Sequence, residues 1–299
     1  MRAVVFAYSN VGDRCLRVLH AGGVDLPLVV THRDRPGETL WFRRVADTAA
    51  ELQVPVVYAD DAHDDALAAR VAAARPDLIF SFYFRAMIPP ALLALAKAGA
   101  FNMHGSLLPL YRGRAPVNWA VLHGATQTGA TLHEMVAKPD AGAIIDSSAV
   151  PILPDDTAEQ VFDKVTVAAE QVLWRSLPAI LAGRAPRRVN DLAAGSYFGA
   201  RTPEDGRIDW SRPAQQVYNL IRAVAPPFPG AFTEIAGTRL VVARARLRRG
   251  VISTATPGLQ IEGPRVVGVC GDGGVIDIHE LRRGADAIDV AALHPLLSR

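Results

Sequence analysis

Short apolar runs alternate with segments of helical periodicity over the first hundred residues, and this alternation constrains the fold more than any other feature. Residues 3–7 (AVVFA) form a continuous run rich in β-branched side chains, as in a parallel strand buried on both faces. After a turn with Asn10 and Gly12, residues 15–22 show helical spacing. Strands are predicted at residues 3–7, 26–31, 54–58, 78–82 and 100–103, with further helices at 38–52 and 64–74. We therefore predict an α/β fold with a Rossmann-like, mostly parallel sheet and helices on both faces.

The rest of the chain predicts a strand pair, a long helix and a second domain. The pair covers residues 128–136 and 143–152, and the helix covers 157–181. Residues 183–206 are rich in Gly, Pro and charge and lack periodicity, which marks a boundary. Beyond it, one helix (214–225) and short strands at 231–235, 239–247, 266–270 and 275–281 fit a small OB-like β-barrel. We assign residues 1–186 to the Rossmann-like domain, 187–206 to a linker and 207–299 to the small C-terminal domain.

Composition excludes several classes of protein. Hydrophobic residues make up 50% and charged residues 21% of 299, so global disorder is excluded. The net charge of +2 is too small for a dedicated nucleic-acid binder. Two distant cysteines cannot build a disulfide framework, and we find neither a signal peptide nor a membrane-spanning run, so a cytoplasmic protein is expected. The sequence does not determine the oligomeric state, and a homo-oligomer is one of the open possibilities.

Several catalytic motifs are absent. No G-x-G-x-x-G follows the first strand, which disfavours a nicotinamide dehydrogenase, and no P-loop is present. The chain has no H-E-x-x-H, no paired C-x-x-C and no G-x-S-x-G elbow, so neither a zinc site nor a serine nucleophile is expected.

The segment at residues 101–116 (FNMHGSLLPLYRGRAP) is the most unusual in the chain. Asn102 and His104 are two apart, so they share one face at the carboxyl end of a predicted core strand. Ligands of open parallel sheets bind at that edge. A structural role for His104 and a functional one both remain open. Asp140 lies in a Pro/Asp/Gly turn, so a structural role as a turn former and a functional role are equally open for it.

Together, the N-x-H pair, the following SLLP and the later D-A-G turn resemble the signature of the 10-formyltetrahydrofolate-dependent formyltransferases. Within that family the resemblance is greatest to the UDP-4-amino-4-deoxy-L-arabinose formyltransferases, the N-terminal half of a bifunctional polymyxin-resistance enzyme. It extends over nearly the whole chain, including THRDRPGE at 31–38, YFGARTPEDG at 197–206 and PPFPGAF at 226–232.

The resemblance implies roles for individual residues. His104 would be the catalytic acid or base, Asn102 would stabilise the transition state, and Asp140 would set the ionisation of His104. The roles of His104 and Asp140 could be exchanged. Folate would bind at a set of residues near these three: Ala86, Met87, Ile88, Arg114, Val136, Ala137, Lys138, Pro139 and Asp140. The side chains of Lys138-Pro139 and Ala86-Met87 depart from the family pattern. Folate bound through backbone groups would tolerate this departure, whereas folate bound through these side chains would not. Arg201 would hold the diphosphate of the acceptor.

The implied reaction is formyl transfer from 10-formyltetrahydrofolate to the amine of a sugar nucleotide, without metal, nucleic acid or membrane insertion, and with a role in lipid A modification. A carboxylate near His104 would raise the pKa of that histidine.

A methionyl-tRNA formyltransferase is the alternative. Such an enzyme would need a basic loop at residues 33–41, but that segment is short and poor in lysine. A non-catalytic folate- or nucleotide-sugar-binding module is the alternative from another class. Arg244 and Arg246 on strand 239–247, with Arg248 directly after it, form either a solvated edge or an anion-binding patch.

Overall fold

The computed structural model describes residues 1–34 and 40–297. The strands are β1 (Arg2–Ala7), β2 (Asp25–Thr31), β3 (Val56–Tyr58), β4 (Leu78–Phe82), β5 (Gly99–His104), β6 (Arg112–Gly113), β7 (Gln127–Glu134), β8 (Ile144–Pro151), β9 (Tyr197–Phe198), β10 (Ala231–Ile235), β11 (Thr238–Ile252), β12 (Gly258–Glu262), β13 (Arg265–Val269), β14 (Gly274–Arg283) and β15 (Asp286–Ile288). The α-helices are α1 (Ser9–Ala21), α2 (Val45–Glu51), α3 (Asp65–Ala74), α4 (Pro90–Leu93), α5 (Pro116–Leu122), α6 (Ala158–Leu181), α7 (Ala214–Val224) and α8 (Val290–Leu297).

Two compact units make up the chain, and both are discontinuous. The first contains residues 1–116, 127–150 and 162–199, and the second contains residues 117–126, 151–161 and 200–299. The domain bounds and linker proposed from the sequence stay predictions. Within the described ranges, none of the helices combines the length and hydropathy needed to cross a bilayer.

A seven-stranded sheet forms the first unit, in the order β3-β2-β1-β4-β5-β7-β8. The pairs from β3 to β5 are parallel, whereas β7 runs antiparallel to β5. Strands β1 and β4 are buried almost throughout, as continuous apolar runs predict. Strand order reverses between β1 and β4, which is where open sheets of this kind place their ligands. The Rossmann-like, mostly parallel sheet is thereby confirmed.

Helix α1 begins earlier than the sequence predicts. We expected a turn with Asn10 and Gly12, but the helix starts at Ser9, directly after β1. A Cβ at Gly12 would lie only 2.8 Å from Cγ2 of Val45 and 3.1 Å from Cβ of Ala7, so glycine allows α1 to approach the sheet and α2 closely.

The predicted helix at 38–52 is also shorter in the structure, because α2 covers only Val45–Glu51. Trp41 instead packs edge-on against Phe162, with ring centroids 5.2 Å apart. Residues 35–39, where the prediction places the start of this helix and part of the lysine-poor loop, lie outside the described residues.

The second unit contains the predicted C-terminal β domain, a six-stranded antiparallel sheet in the order β10-β11-β14-β13-β12, with β15 paired to β14. Strands β12 and β15 and helix α8 were not predicted from the sequence. On β11, Arg246 lies 3.2 Å from Asp155, and Arg248 pairs with Asp277 and with Glu262. Two of the three alternating arginines are therefore held in ion pairs.

Candidate active site

A cavity of about 510 Å³ opens at the carboxyl ends of β4 and β5 in the first unit. All of its lining residues belong to that unit, and they include Asn102, His104, His133 and Asp140. The residues of the N-x-H pair and the distant Asp140 therefore come together at one cavity. A few converging polar groups in a mostly apolar cavity are the usual composition of a ligand site.

His104 ends β5 and is 6% exposed. The loop after it is held by short hydrogen bonds: the Ser106 hydroxyl donates to the Leu110 carbonyl (2.6 Å), and the Thr131 hydroxyl donates to the Ser106 carbonyl (2.6 Å). At Gly105 a Cβ would overlap the hydroxyl of Tyr83, so this position has no room for a side chain. The imidazole therefore projects from a rigid end of the sheet.

Hydrogen bonding fixes the tautomer of His104. Its Nε2 lies 2.8 Å from the carbonyl oxygen of Tyr111, which can only accept, so Nε2 carries the proton. In the neutral ring, Nδ1 is then the basic nitrogen, and it lies 3.5 Å from Oδ1 of Asp140. A proton taken up at Nδ1 would be stabilised by that carboxylate.

The ionisation of His104 differs from the sequence-based expectation. Burial lowers the pKa of His104 below its ordinary value and outweighs the opposing effect of the Asp140 carboxylate. The predicted raising effect of the Asp140 carboxylate is present, but the ring is desolvated at the end of a buried strand, and this larger effect makes the net pKa lower than usual. The neutral imidazole is favoured at neutral pH.

Asp140 sits in the turn between β7 and β8, with φ at +49°. The backbone N–H of Gly113 donates to its Oδ2 at 2.9 Å, and the Asn190 amide donates to the carbonyls of Asp140 (3.0 Å) and Gly142 (3.2 Å). Burial alone would raise the pKa of Asp140, but the neighbouring His104 and the hydrogen bond from the Gly113 N–H act in the opposite direction, and the pKa lies well below its usual range. The carboxylate is therefore ionised. Besides occupying a turn, it contacts His104 and Gly113.

His133 is a member of the site that the sequence analysis missed. It faces Asn102 across the antiparallel β5–β7 pair, where the two are register partners. Its Nε2 lies 3.0 Å from Nδ2 of Asn102 and 3.5 Å from Oδ1 of Asp140. The signal that could have revealed it is its place on β7 in the predicted strand pair, but the partner of β7 and the register could not be read from the sequence.

Most of the predicted folate-contacting residues line the cavity: Ala86, Met87, Ile88, Arg114, Val136, Pro139 and Asp140. Ala137 and Lys138 are not among its lining residues. Arg201 belongs to the second unit, where its guanidinium lies 4.8 Å from the ring centroid of Trp119 and donates to the carbonyl of Asp205 at 2.9 Å. The roles of all these residues stay predictions.

Comparison with known proteins identifies related sequences and folds. A family model described as formyl transferase matches residues 1–177, and one described as formyl transferase, C-terminal domain, matches residues 201–293. Together these matches cover most of the chain, and the first alone covers more than half.

Solved structures share the fold. An N-formyltransferase from Helicobacter canadensis, in complex with folinic acid and dTDP-3-aminofucose, is 18% identical, with a TM-score of 0.72 over 93% of this chain and 98% of its own. WlaRD, a sugar 3N-formyltransferase studied with dTDP and 5-N-formyl-THF, is also 18% identical, with a TM-score of 0.72 over 97% and 98% of the two chains. HypX from Aquifex aeolicus, in complex with tetrahydrofolic acid, is 18% identical, with a TM-score of 0.67 over 99% of this chain and 47% of its own.

Proposed function

This chain belongs to the formyl transferase family, and from that premise we propose that it moves a formyl group from 10-formyltetrahydrofolate to the primary amine of a sugar nucleotide. The observation that carries the proposal is the convergence of Asn102, His104 and Asp140 at one cavity. Two proteins of similar fold were crystallised with a formylated folate and with dTDP or a dTDP-aminosugar, which supports the choice of both co-substrates.

In the proposed reaction, the acceptor amine attacks the formyl carbon. A new C–N bond forms, and negative charge develops on the formyl oxygen in a tetrahedral intermediate. The carboxamide N–H of Asn102 donates to that oxygen. A donor of this kind is worth about 2.7–4 kcal/mol in comparable acyl transfers.

The proton transfers fall to His104. Its neutral Nδ1 accepts a proton from the attacking amine, and the ionised Asp140 stabilises the imidazolium that results. The imidazolium then donates this proton to the folate nitrogen as the bond between that nitrogen and the formyl carbon breaks. Since the pKa of Asp140 is held well below its usual range, we assign the proton transfer to His104 rather than to Asp140.

The cavity has features suited to a folate ring. Met87, Ile88 and Val136 supply apolar surface along its wall, and the lining segments 86–88 and 139–140 bring backbone polar groups to the cavity. Recognition through the backbone fits a chain whose side chains at 86–87 and 138–139 differ from the family pattern. We assign the folate to this wall and the acceptor amine to the His104–Asp140 side.

For the acceptor we propose UDP-4-amino-4-deoxy-L-arabinose, and hence a role in lipid A modification and polymyxin resistance. The support is the sequence resemblance, which includes the 31–38 and 197–206 segments. Arg201 is proposed to hold the diphosphate. Free, buried Cys15 and Cys270 support a reducing compartment, so we keep the cytoplasm as the proposed location.

The proposal is tested by measuring formyl transfer from 10-formyltetrahydrofolate to three acceptors: the UDP-aminoarabinose, a dTDP-aminosugar and charged initiator tRNA. We expect the highest kcat/KM with the UDP-sugar. Preference for the dTDP-sugar would correct the acceptor but keep the class, whereas preference for the tRNA would overturn it. Micromolar folate binding without turnover on any amine would instead identify a non-catalytic binding module.

A further inference from the structure

A second histidine in the site, His133, has no role in the reaction as described so far. Resting on the proposed function, we propose that His133 is a positioning residue that fixes the carboxamide of Asn102 for transition-state stabilisation. It is 2% exposed, so its polar atoms depend on protein partners rather than on solvent. Its place on β7 opposite Asn102 puts the imidazole beside that carboxamide.

The backbone sets the tautomer of His133. Its Nδ1 lies 2.8 Å from the carbonyl oxygen of Glu134, which can only accept a hydrogen bond, so Nδ1 carries a proton. In the neutral ring Nε2 is then an acceptor, and it receives a hydrogen bond from Nδ2 of Asn102 at 3.0 Å. This is the tautomer opposite to that of His104, whose proton is on Nε2.

The consequence is a defined orientation for Asn102. A carboxamide can turn its nitrogen or its oxygen toward a neighbour, and an acceptor at His133 selects the nitrogen. One N–H is then used by His133, and the second can donate to a formyl oxygen in the cavity that Asn102 lines. Pre-orientation of a donor matters because misplacement by about 1 Å can cost about a hundredfold in rate.

A proton on Nε2 of His133 would abolish this arrangement. Nε2 would then donate, and its nearest acceptor other than the Asn102 carboxamide is Oδ1 of Asp140, 3.5 Å away. The other groups facing the ring are the Glu134 carbonyl and the imidazole of His104, whose ring centroid lies 6.5 Å away. The hydrogen bond between the Asn102 amide and Nε2 of His133 therefore orients both side chains.

Three substitutions separate positioning from a merely structural role. His133→Gln keeps an acceptor close to the place of Nε2, His133→Asn keeps only a donor close to the place of Nδ1, and His133→Leu keeps neither. We expect His133→Leu and His133→Asn to lower kcat by about tenfold to a hundredfold with little change in either KM, and His133→Gln to stay within about threefold of wild type. Equal losses in all three, or a loss confined to KM, would overturn the proposal.

A double-mutant cycle tests the coupling directly. Because His133 is proposed to act through Asn102, His133→Leu should cost nothing further in an Asn102→Ala background. A full additional loss in that background would overturn the proposal.

Nitrogen-15 NMR of the histidines is independent of turnover. We expect His133 of the wild-type protein to be protonated at Nδ1 and unprotonated at Nε2, with the Nε2 resonance moving in Asn102→Ala. A proton on Nε2, or a resonance that does not move, would overturn the inference. A protein that transfers no formyl group but shows the expected resonances would refute the proposed function alone.

Discussion

Nδ1 of His104 lies 3.5 Å from Oδ1 of Asp140, at the meeting point of a strand end and a turn that are far apart in the chain. The turn is held in place from two other segments, by the Gly113 N–H and by the Asn190 amide. The distance between His104 and Asp140 thus depends on β5, on β6 and on the segment that contains Asn190. Each of these supports can be removed separately, which makes their contributions measurable.

Substitution of His104 tests its assignment as the proton carrier. His104→Ala should lower kcat by about 10²–10⁴-fold, because positioned acid–base groups contribute factors of this size. Circular dichroism and the melting temperature should show a folded protein. His63→Ala is the matched control, since the His63 side chain is 66% exposed and pairs only with Asp61 among the described residues. Near-normal turnover by His104→Ala would reject the assignment.

The dependence of the rate on pH follows from the lowered pKa of His104. Neutral His104 is the active form, so kcat should fall as pH decreases, with a midpoint below the ordinary histidine value of about 6.5. In Asp140→Asn the stabilising carboxylate is lost, so the midpoint should move to still lower pH. An NMR titration of His104 in both proteins measures this. A midpoint that rises in Asp140→Asn would contradict the geometry.

Stability should depend on pH in the same direction. The pKa of His104 is lower in the folded state, so the unfolded chain binds more protons as pH falls from about 6.5 toward the folded-state pKa, and stability declines through that window. Asp140 adds a further decline below its usual pKa, since its folded-state pKa is also lowered. Urea unfolding between pH 7 and pH 4 should show a smaller loss in His104→Gln than in the wild type.

The carboxamide of Asn190 is predicted to link stability to activity. It is 8% exposed and donates to two carbonyls of the Asp140 turn. Asn190→Ala should cost about 1–3 kcal/mol of unfolding free energy, because buried carbonyls lose their donor, and kcat should fall as Asp140 becomes less fixed. Chemical denaturation and steady-state kinetics give the two values. A stability loss with unchanged kcat would show that the turn keeps its geometry without Asn190.

Gly105 and Tyr83 are predicted to be coupled. Gly105→Ala should cost about 1–3 kcal/mol, since the new methyl group overlaps the Tyr83 hydroxyl. Among the described residues that hydroxyl has no hydrogen-bond partner, so Tyr83→Phe should be nearly neutral and should relieve part of the cost of Gly105→Ala. Gly199→Ala is the control, because within the described part of the chain no heavy atom outside its two chain neighbours lies within 4 Å of its Cβ position. Additive effects of the two substitutions would contradict the coupling.

Sequence and structure agree where one rule of local geometry is enough. Asn102 and His104 could be placed on one face because side chains alternate along a strand, and the strand end followed from Gly105. His133 could not be assigned to the site from the sequence. It reaches Asn102 only because β7 pairs with β5 in one particular register, and the sequence leaves that register undetermined. The predicted start of α1 is too late for a related reason: in a sequence, a glycine needed for close packing, such as Gly12, cannot be told from a glycine that marks a turn. The raising effect of Asp140 on the pKa of His104 followed from the sequence, but the larger lowering effect of burial did not, because the extent of burial cannot be measured from neighbouring residue types.

The interleaving of the two units has a consequence for engineering. Residues 117–126 and 151–161 cluster with residues 200–299, although both stretches lie inside the 1–177 match. A hybrid enzyme made by joining this chain to a relative at residue 200 would inherit a second unit assembled from two parents. Grafting all three segments together should give the better-folded hybrid, and a comparison of the two designs by melting temperature would show how far these short stretches determine compatibility between parents.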